Sequence, residues 1–254
     1  MTLRLIGMVH LGPLPGAPRY RGDLDAVVAG AVADARILLD AGFDGLMVEN
    51  FGDAPFFADD VPKATIAAMT RVVTAVTALG VPTGVNVLRN DALGALAVAA
   101  ASGATFIRVN VLSGVMSTDQ GVIAGKAAEV ARLRAAVAPE VAVFADVFVK
   151  HATPPPGLSL EQAAADLWER AGADAIVVSG PGTGRAVDRS HLQRVRAAAP
   201  GAPLYVGSGA AAESAAELLA VCDGLIVGTA VKVDGVTTAP VDPGRARALV
   251  AAAR

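Results

Sequence analysis

The stretch AGFDGLMVE at residues 41–49 decides the fold, because the chain repeats it three more times. The later copies read SGATFIRVN at 102–110, AGADAIVVS at 171–179 and, more loosely, CDGLIVG at 222–228. Each copy follows an alanine-rich stretch and predicts a helix-ending glycine, a tight turn and a short buried strand. In the aligned copies one position marks the end of the apolar run, and it is occupied by Glu49, Asn110, Ser179 and Gly228.

Four further apolar runs lie between the copies and predict the remaining strands. They occupy residues 5–9, 83–87, 141–145 and 204–206. Interleaving the two sets gives strands that alternate with helices, which favours parallel strands joined by right-handed crossovers. Eight such units in 254 residues predict an α/β protein, a closed (β/α)8 TIM barrel that forms one domain over residues 1–254. An open doubly wound sheet is the alternative.

The composition excludes several classes of function. A net charge of −3 and a pI near 5.6 give no basic surface for nucleic acid. The longest apolar stretch, residues 92–107, is interrupted by glycine and serine, so we expect no integral membrane segment. The single cysteine, Cys222, fits a reducing compartment, and we expect a cytoplasmic protein. The alanine-rich helices suit close packing in a homo-oligomer.

The carboxyl ends of the strands are where a barrel of this kind forms its active site. The first five predicted strands end in ionisable or amide side chains, whereas the last three end in small residues. We therefore expect catalytic groups on strands one to five and a ligand-binding end on strands six to eight. The catalytic candidates are Asp146, Glu49, Lys150, His10, Arg108, Asn110 and Asn86.

Two carboxylates stand out among these candidates. Glu49 and Asp146 end strands two and five and are predicted to face each other across the mouth, where they would act as acid and base. Alternatively, they would bind Mg²⁺, the one cofactor that the sequence suggests. A third reading is a salt bridge with Arg108, which shares a strand face with Asn110.

Glycine-rich turns predict a phosphate site after strands six to eight. Glycine allows backbone N–H groups to approach an oxyanion closely, and a helix amino terminus adds partial positive charge. In this fold the loops after strands seven and eight commonly bind phosphate. The alternative is that these glycines only make short turns. The predicted phosphate-binding residues are Ser179, Gly180, Gly184, Gly207, Ser208, Gly209, Gly228 and Thr229.

Loops around the mouth supply further candidates. Residues 11–20 and 51–60 form long loops that would cover the site, and residues 152–157, with three consecutive prolines, predict a rigid flap beside Lys150. Lys232 would either reach an anion at strand eight or lie in solvent. His191 is expected in the first turn of a surface helix, away from the site.

Several of these segments resemble the BtpA family. The resemblance is carried by GMVHLGPLPG at 7–16, VENFGDAPF at 48–56, RVN at 108–110, DVFVKH at 146–151 and GTAVKVDGV at 228–236. It implies a phosphate-binding (β/α)8 barrel. The family is named for a thylakoid-associated factor that stabilises photosystem I, and other members occur in non-photosynthetic bacteria beside sugar-uptake genes.

Two functional hypotheses follow. In the first, the protein is an enzyme that acts on a small phosphorylated metabolite, a phosphosugar or ribosyl phosphate, as an isomerase, a lyase or a glycosyl or phosphoribosyl transferase. In the second, it is a non-catalytic accessory factor for the biogenesis of a membrane protein complex. A scaffold gives no reason for polar residues to converge at one rim, so the sequence favours the enzyme.

Overall fold

The repeated segments form the same local structure at each copy. The computed structural model describes residues 3–180, 182 and 186–254. Helix α1 (Leu24–Ala41) ends at Gly42, whose backbone is left-handed with φ 104°, and α3 (Ala92–Ser102) ends in the same way at Gly103 with φ 75°. A buried strand follows each turn. Glycine adopts this conformation without the steric cost that a side chain brings, which is why it ends these helices.

Across the described residues, eight parallel strands close into a barrel. Strand β1 pairs with both the second and the eighth strand, which completes the ring. The predicted (β/α)8 TIM barrel is confirmed, and the open doubly wound sheet is wrong. The strands are β1 (Leu5–His10), β2 (Gly45–Glu49), β3 (Thr83–Asn86), β4 (Phe106–Val109), β5 (Ala142–Val147), β6 (Ala175–Val178), β7 (Leu204–Val206) and β8 (Gly224–Val227).

The helices pack around the outside of this ring. Five of them begin at a residue whose side chain accepts a hydrogen bond from the first turn, namely Asp23, Asp91, Ser159, Asp188 and Asp242. The helices not yet given are α2 (Lys63–Thr77), α4 (Ala127–Val137), α5 (Leu160–Ala165), which continues as one π-helical turn (Asp166–Arg170), α6 (Arg189–Ala198), α7 (Ala212–Leu219) and α8 (Pro243–Ala253).

The aspartate of the repeated segment joins the amino-terminal ends of neighbouring strands by hydrogen bonds. Asp44 Oδ2 accepts the N–H of Leu5 at 2.8 Å, Asp174 Oδ2 accepts that of Val143 at 2.8 Å, and Asp223 Oδ2 accepts that of Leu204 at 2.7 Å. Thr105 occupies the same position in the second copy. The repeat is therefore a structural unit of two strands, and its aspartate belongs to the floor of the barrel.

Aromatic side chains fill the barrel interior beneath the mouth. The ring of Phe144 stacks on Phe106 at 4.8 Å between centroids and lies 4.9 Å from that of Tyr205. Gly84 faces this stack, and a β-carbon there would lie 2.2 Å from the Phe106 ring. A second, larger apolar core lies between the strands and the helices. The barrel is thus closed below, and the mouth is left for ligands.

A small antiparallel sheet stands outside the barrel, after β4 and β5. Its strands are Val115–Thr118, Gly121–Ala124 and Ala152–Thr153. The proline-rich segment predicted as a flap therefore begins as a strand of this sheet. The hairpin formed by the other two strands was not predicted. Its inward residues Met116 and Ile123 pack against Val111 and Val149, which fixes the loop that carries Lys150.

Candidate functional site

A cavity of about 200 Å³ opens at the carboxyl ends of the strands. It lies at the rim where the sequence places the site, and it is lined from both halves of the barrel. The predicted residues that line it are His10, Glu49, Arg108, Lys150, Gly207, Ser208, Gly209, Gly228 and Thr229. Residues that the sequence analysis did not name also line it: Met8, Ala210, Ala211, Ile226, Ala230 and Gly235.

Glu49 provides the carboxylate of the cavity wall. The side chain is buried, and its Oε2 accepts a hydrogen bond of 2.6 Å from Asn86 Nδ2. Its Oε1 lies 3.7 Å from Nε2 of His10. The three residues are neighbours because their strands pair in register, His10 opposite Glu49 and Glu49 opposite Asn86. The amide of Asn86 therefore orients one carboxylate oxygen while the other faces the imidazole.

His10 is a neutral imidazole at physiological pH. Burial, followed by the positive charges of Lys232 and Lys150, lowers its pKa from 6.5 to about 3. Its ring lies 5.0 Å from that of Phe51. A β-carbon at Gly228 would lie 2.7 Å from His10 Cε1. Gly228 is thus small because the imidazole occupies the space beside it.

Arg108 and Asp146 form a buried bidentate ion pair. Arg108 Nε donates to Asp146 Oδ2 at 2.8 Å, and Nη2 donates to Oδ1 at 2.7 Å. Burial alone opposes the charge of Arg108, but Asp146 and then Glu49 raise its pKa above the ordinary value. The salt bridge that the sequence left open is therefore present, and only Arg108 of the pair lines the cavity.

Two more predicted residues support this pair from behind. Asn110 Nδ2 donates to Asp146 Oδ2 at 3.0 Å, and Ser179 Oγ donates to Oδ1 at 3.1 Å. Asn110 and Asp146 line a separate space of about 30 Å³ beneath the small sheet. Gly180 is buried and does not line the cavity. Gly184, the remaining phosphate candidate, lies outside the described residues.

The turns after β7 and β8 line the cavity with residues whose backbone N–H groups lack a described partner. The N–H groups of Gly209, Ala210, Thr229 and Ala230 have no acceptor among the described residues. Thr229 and Ala230 start a 3-10 helix, where first-turn donors lack partners within the helix. Together the four donors form what we call the amide cradle, an arrangement suited to an oxyanion.

Glycine has different roles along this side of the mouth. Gly209 is left-handed, with φ 79°, and so turns the chain into α7. At Gly207 a β-carbon would lie 2.6 Å from Arg108 Nη2 and 2.4 Å from Val177. Gly207 therefore leaves room for the arginine. The sequence could not show this, because Arg108 lies 99 residues earlier in the chain.

Two lysines that the sequence singled out have different environments. Lys150 lines the cavity, and burial lowers its pKa; the charge of Glu49 opposes this shift, and that of Arg108 adds to it. Lys232 is 0% exposed, and its Nζ donates to Asp34 Oδ2 on α1 at 2.6 Å. Both expectations for Lys232 are therefore wrong. It is a buried structural lysine, because its long side chain reaches the helix and not the cavity.

Arg89 is the main residue that sequence reasoning missed. It follows β3, is only 5% exposed, and donates from Nη2 to the carbonyl oxygen of Lys150. The signal was present, since Arg89 lies three residues beyond the predicted exit at Asn86. His191, as expected, is exposed in the first turn of α6.

The described residues do not assemble a metal centre. Nowhere in that part of the chain do three His, Cys, Asp or Glu side chains come together to hold an ion. Both oxygens of Asp146 accept from Arg108, and Asp146 does not line the cavity. Glu49 lines the cavity, so the two carboxylates do not meet there. The suggested Mg²⁺ site of Glu49 and Asp146 does not fit this geometry. None of the described helices has the length and apolar character of a membrane span.

The fold and the site define a (β/α)8 barrel with its cavity at the carboxyl ends of the strands. The BtpA family model matches residues 1–254, and the chain belongs to the BtpA family. A protein of Thermococcus kodakarensis is 50% identical over 98% of this chain and 95% of its own length. The photosystem I biogenesis protein BtpA of Synechocystis is 45% identical over 98% of this chain and 87% of its own.

A solved structure extends the comparison of the fold. The phosphoribosyl anthranilate isomerase of Thermus thermophilus superposes with a TM-score of 0.58. The superposition covers 98% of this chain and 97% of the isomerase, at 17% identity. At that identity the likeness concerns the barrel alone.

Proposed function

We propose that the protein is an enzyme that acts on a small phosphorylated metabolite, a phosphosugar or ribosyl phosphate, in the cytoplasm. The amide cradle carries the proposal, because four residues whose N–H groups have no described acceptor line one cavity. Ala210 is buried and the other three residues are partly exposed at the cavity, so these donors are accessible to an oxyanion ligand. The isomerase of similar fold is named for a phosphoribosyl compound, which agrees with this ligand class.

The opposite wall supplies the chemistry. Glu49 transfers the proton, since it lines the cavity and its Oε2 is oriented by Asn86. Arg108 stabilises negative charge that develops on the substrate, and Asp146 fixes the plane of its guanidinium. The neutral imidazole of His10 offers a hydrogen bond beside Glu49. Such a set serves isomerisation, lyase cleavage and glycosyl or phosphoribosyl transfer.

A matched pair of variants at Ala211 tests the phosphate site. Ala211 is the N-cap of α7, lines the cavity and makes no side-chain cap. Both Ala211→Asp and Ala211→Asn give α7 a good cap, but only the aspartate places negative charge at the cradle. We expect ribose 5-phosphate to raise the melting temperature of the wild type and of Ala211→Asn, and not that of Ala211→Asp. Equal shifts in all three proteins would contradict the phosphate site.

The proton-transfer role is tested separately from binding. The phosphorylated compound that stabilises the protein most is incubated with it in D2O, and its carbon-bound protons and products are followed by NMR. We expect turnover or deuterium incorporation with the wild type. Glu49→Gln should keep the thermal shift and lose the exchange by at least about 100-fold, the range of general acid–base catalysis. Unchanged exchange in Glu49→Gln would remove Glu49 from this role.

A second candidate function is that of an accessory factor for membrane-complex biogenesis. The observation that favours it is the 45% identity to the Synechocystis protein named for photosystem I biogenesis. Val122 and Val115 on the small sheet are 70% and 41% exposed, which would suit a protein contact. If no phosphorylated compound shifts the melting temperature while a protein partner is retained in stoichiometric amount, this candidate replaces the enzyme.

A further inference from the structure

Arg89 and Lys150 are cations that form no ion pair with a described carboxylate, and Glu49 and Asp146 attract both of them only from a longer distance. The Arg89 guanidinium is almost fully buried, forms no ion pair with a described residue and leaves its Nε without a hydrogen-bond partner. The Lys150 ammonium lines the cavity and likewise has no ion pair in the described part of the chain. Buried charge is costly unless it is paired, so this arrangement lacks an anion.

The remaining charges of the cavity do not supply that anion. Arg108 and Asp146 neutralise each other. Glu49 accepts from Asn86 and faces His10, and it forms no ion pair with Arg89 or Lys150. This side of the mouth therefore carries two cations, Arg89 and Lys150, and one carboxylate, Glu49. The excess charge is independent of the amide cradle, which consists of backbone groups.

The two features follow different strands of the ring. Arg89 follows β3 and Lys150 follows β5, whereas the amide cradle follows β7 and β8. In the order of the ring, β3 is opposite β7, while β5 lies two strands from β7 and three from β8. Arg89 is held on this side because its Nη2 donates to the Lys150 carbonyl oxygen. A ligand bound by its phosphate at the cradle thus extends toward Lys150, with Arg89 behind it.

We infer that the substrate carries a second oxyanionic group, a carboxylate or another phosphate, which Lys150 binds away from the amide cradle with the support of Arg89. This inference rests on the proposed phosphate-binding function and narrows its substrate class to compounds with an acidic group at each end. Lys150 contacts the group directly from the cavity wall. Arg89 adds positive charge and holds the loop of Lys150 in place.

Pairs of ligands that differ in the second acidic group test the inference. Glycerol 3-phosphate is compared with 3-phosphoglycerate, and fructose 6-phosphate with fructose 1,6-bisphosphate, by titration calorimetry. We expect the doubly acidic member of at least one pair to bind about 10- to 100-fold more tightly, the range for a charge-assisted hydrogen bond. The carboxylate pair and the bisphosphate pair distinguish the two kinds of group.

Three variants show whether the preference depends on these cations. In Lys150→Gln and Arg89→Gln the preference should fall to no more than a few-fold, while the singly acidic ligands keep their affinity. Lys150→Gln gives the answer if Arg89→Gln does not fold. Lys126→Gln is the control, because that lysine pairs with Asp59 outside the cavity.

The outcomes separate the inference from the function on which it rests. If no ligand of either pair binds, both the inference and the proposed phosphate site fall. If the members of each pair bind equally, the phosphate site stands and the second site is overturned. A preference that survives in both Lys150→Gln and Arg89→Gln also overturns it, because the second group would then be bound elsewhere.

Discussion

The two sides of the cavity are built from different parts of the chain. The side formed after β7 and β8 consists of backbone groups and small residues, from Gly207 to Ala211 and from Gly228 to Ala230. The side formed by β2, β4 and β5 consists of long polar side chains, Glu49, Arg108 and Lys150. The first side depends on local backbone conformation, and the second depends on strand register and on ion pairs between distant residues.

This difference implies different responses to substitution. A change on the backbone side should affect ligand binding with little effect on folding, because few long-range contacts are lost. A change on the side-chain side should affect folding first, since removing one member of a buried network leaves its partner unsatisfied. The predictions below test this contrast.

The largest effect is expected for Arg108→Met. It leaves the Asp146 carboxylate buried without its cation, and the free energy of unfolding should fall by about 3–5 kcal/mol. Urea denaturation measures the loss. Arg194→Met is the control, because Arg194 makes a similar two-bond pair with Glu161 at the surface, where ion pairs contribute little. Equal losses in the two variants would contradict the assigned burial.

Lys232→Met tests whether the backbone side also depends on a distant anchor. Lys232 follows the β8 turn and pairs with Asp34, and Asp34 Oδ1 accepts the N–H of Val241. Removing the cation should lower the unfolding free energy by about 3 kcal/mol. Adding Asp34→Asn should recover much of the loss, since the amide oxygen still accepts from Val241. Failure of this rescue would show that packing of the lysine chain, and not its charge, matters.

His10 should make the protein sensitive to mild acid. Its pKa is 6.5 in the unfolded chain and about 3 in the folded protein, so below pH 6.5 the unfolded state binds a proton that the folded state does not. Stability from this group is therefore lost as the pH falls, by about 2 kcal/mol between pH 7 and pH 5. Urea denaturation of wild type and His10→Gln at both pH values measures the difference. Parallel pH dependence would contradict a buried neutral imidazole.

The smallest effect is expected on the backbone side. Ala211→Asn should raise the unfolding free energy by about 0.5–1 kcal/mol, because its side chain caps α7 where alanine cannot. Thermal denaturation without ligand measures the gain. A loss comparable to that of Arg108→Met would remove the contrast between the two sides.

Much of the fold could be predicted because its signal is local. Repeated helix-ending glycines and apolar runs predict eight strands, and the rim position of Glu49 and Gly228 follows from the strand ends. The errors arise where long-range contacts decide. Lys232 pairs with a residue 198 positions away, and both oxygens of Asp146 accept from Arg108, so this carboxylate does not line the cavity. The hairpin at 115–124 was missed because its two short strands lie within a connecting loop.

Arg89 shows the same limit at the site itself. It lies in the turn after β3, and its importance depends on Lys150, 61 residues later. Residue type alone does not distinguish it from a solvated surface arginine. The roles of Gly207 and Gly228 likewise depend on the side chains that approach them, Arg108 and His10.

The aspartates on the barrel floor close repeated units of the molecule in the same way. Three of the four two-strand units close with the same carboxylate-to-amide bond, and the second unit has Thr105 in its place, with the Thr105 N–H donating to Thr83 O. In the other three units the residue equivalent to Thr83 is Leu5, Val143 or Leu204. Its carbonyl accepts the aspartate N–H, and its own N–H donates to the aspartate side chain. Thr105→Asp would thus introduce into the second unit the carboxylate-to-amide hydrogen bond of the other three units. This position lies at the end of the barrel remote from the cavity. Substitutions at the floor of the barrel can therefore raise its stability without changing the residues that line the cavity.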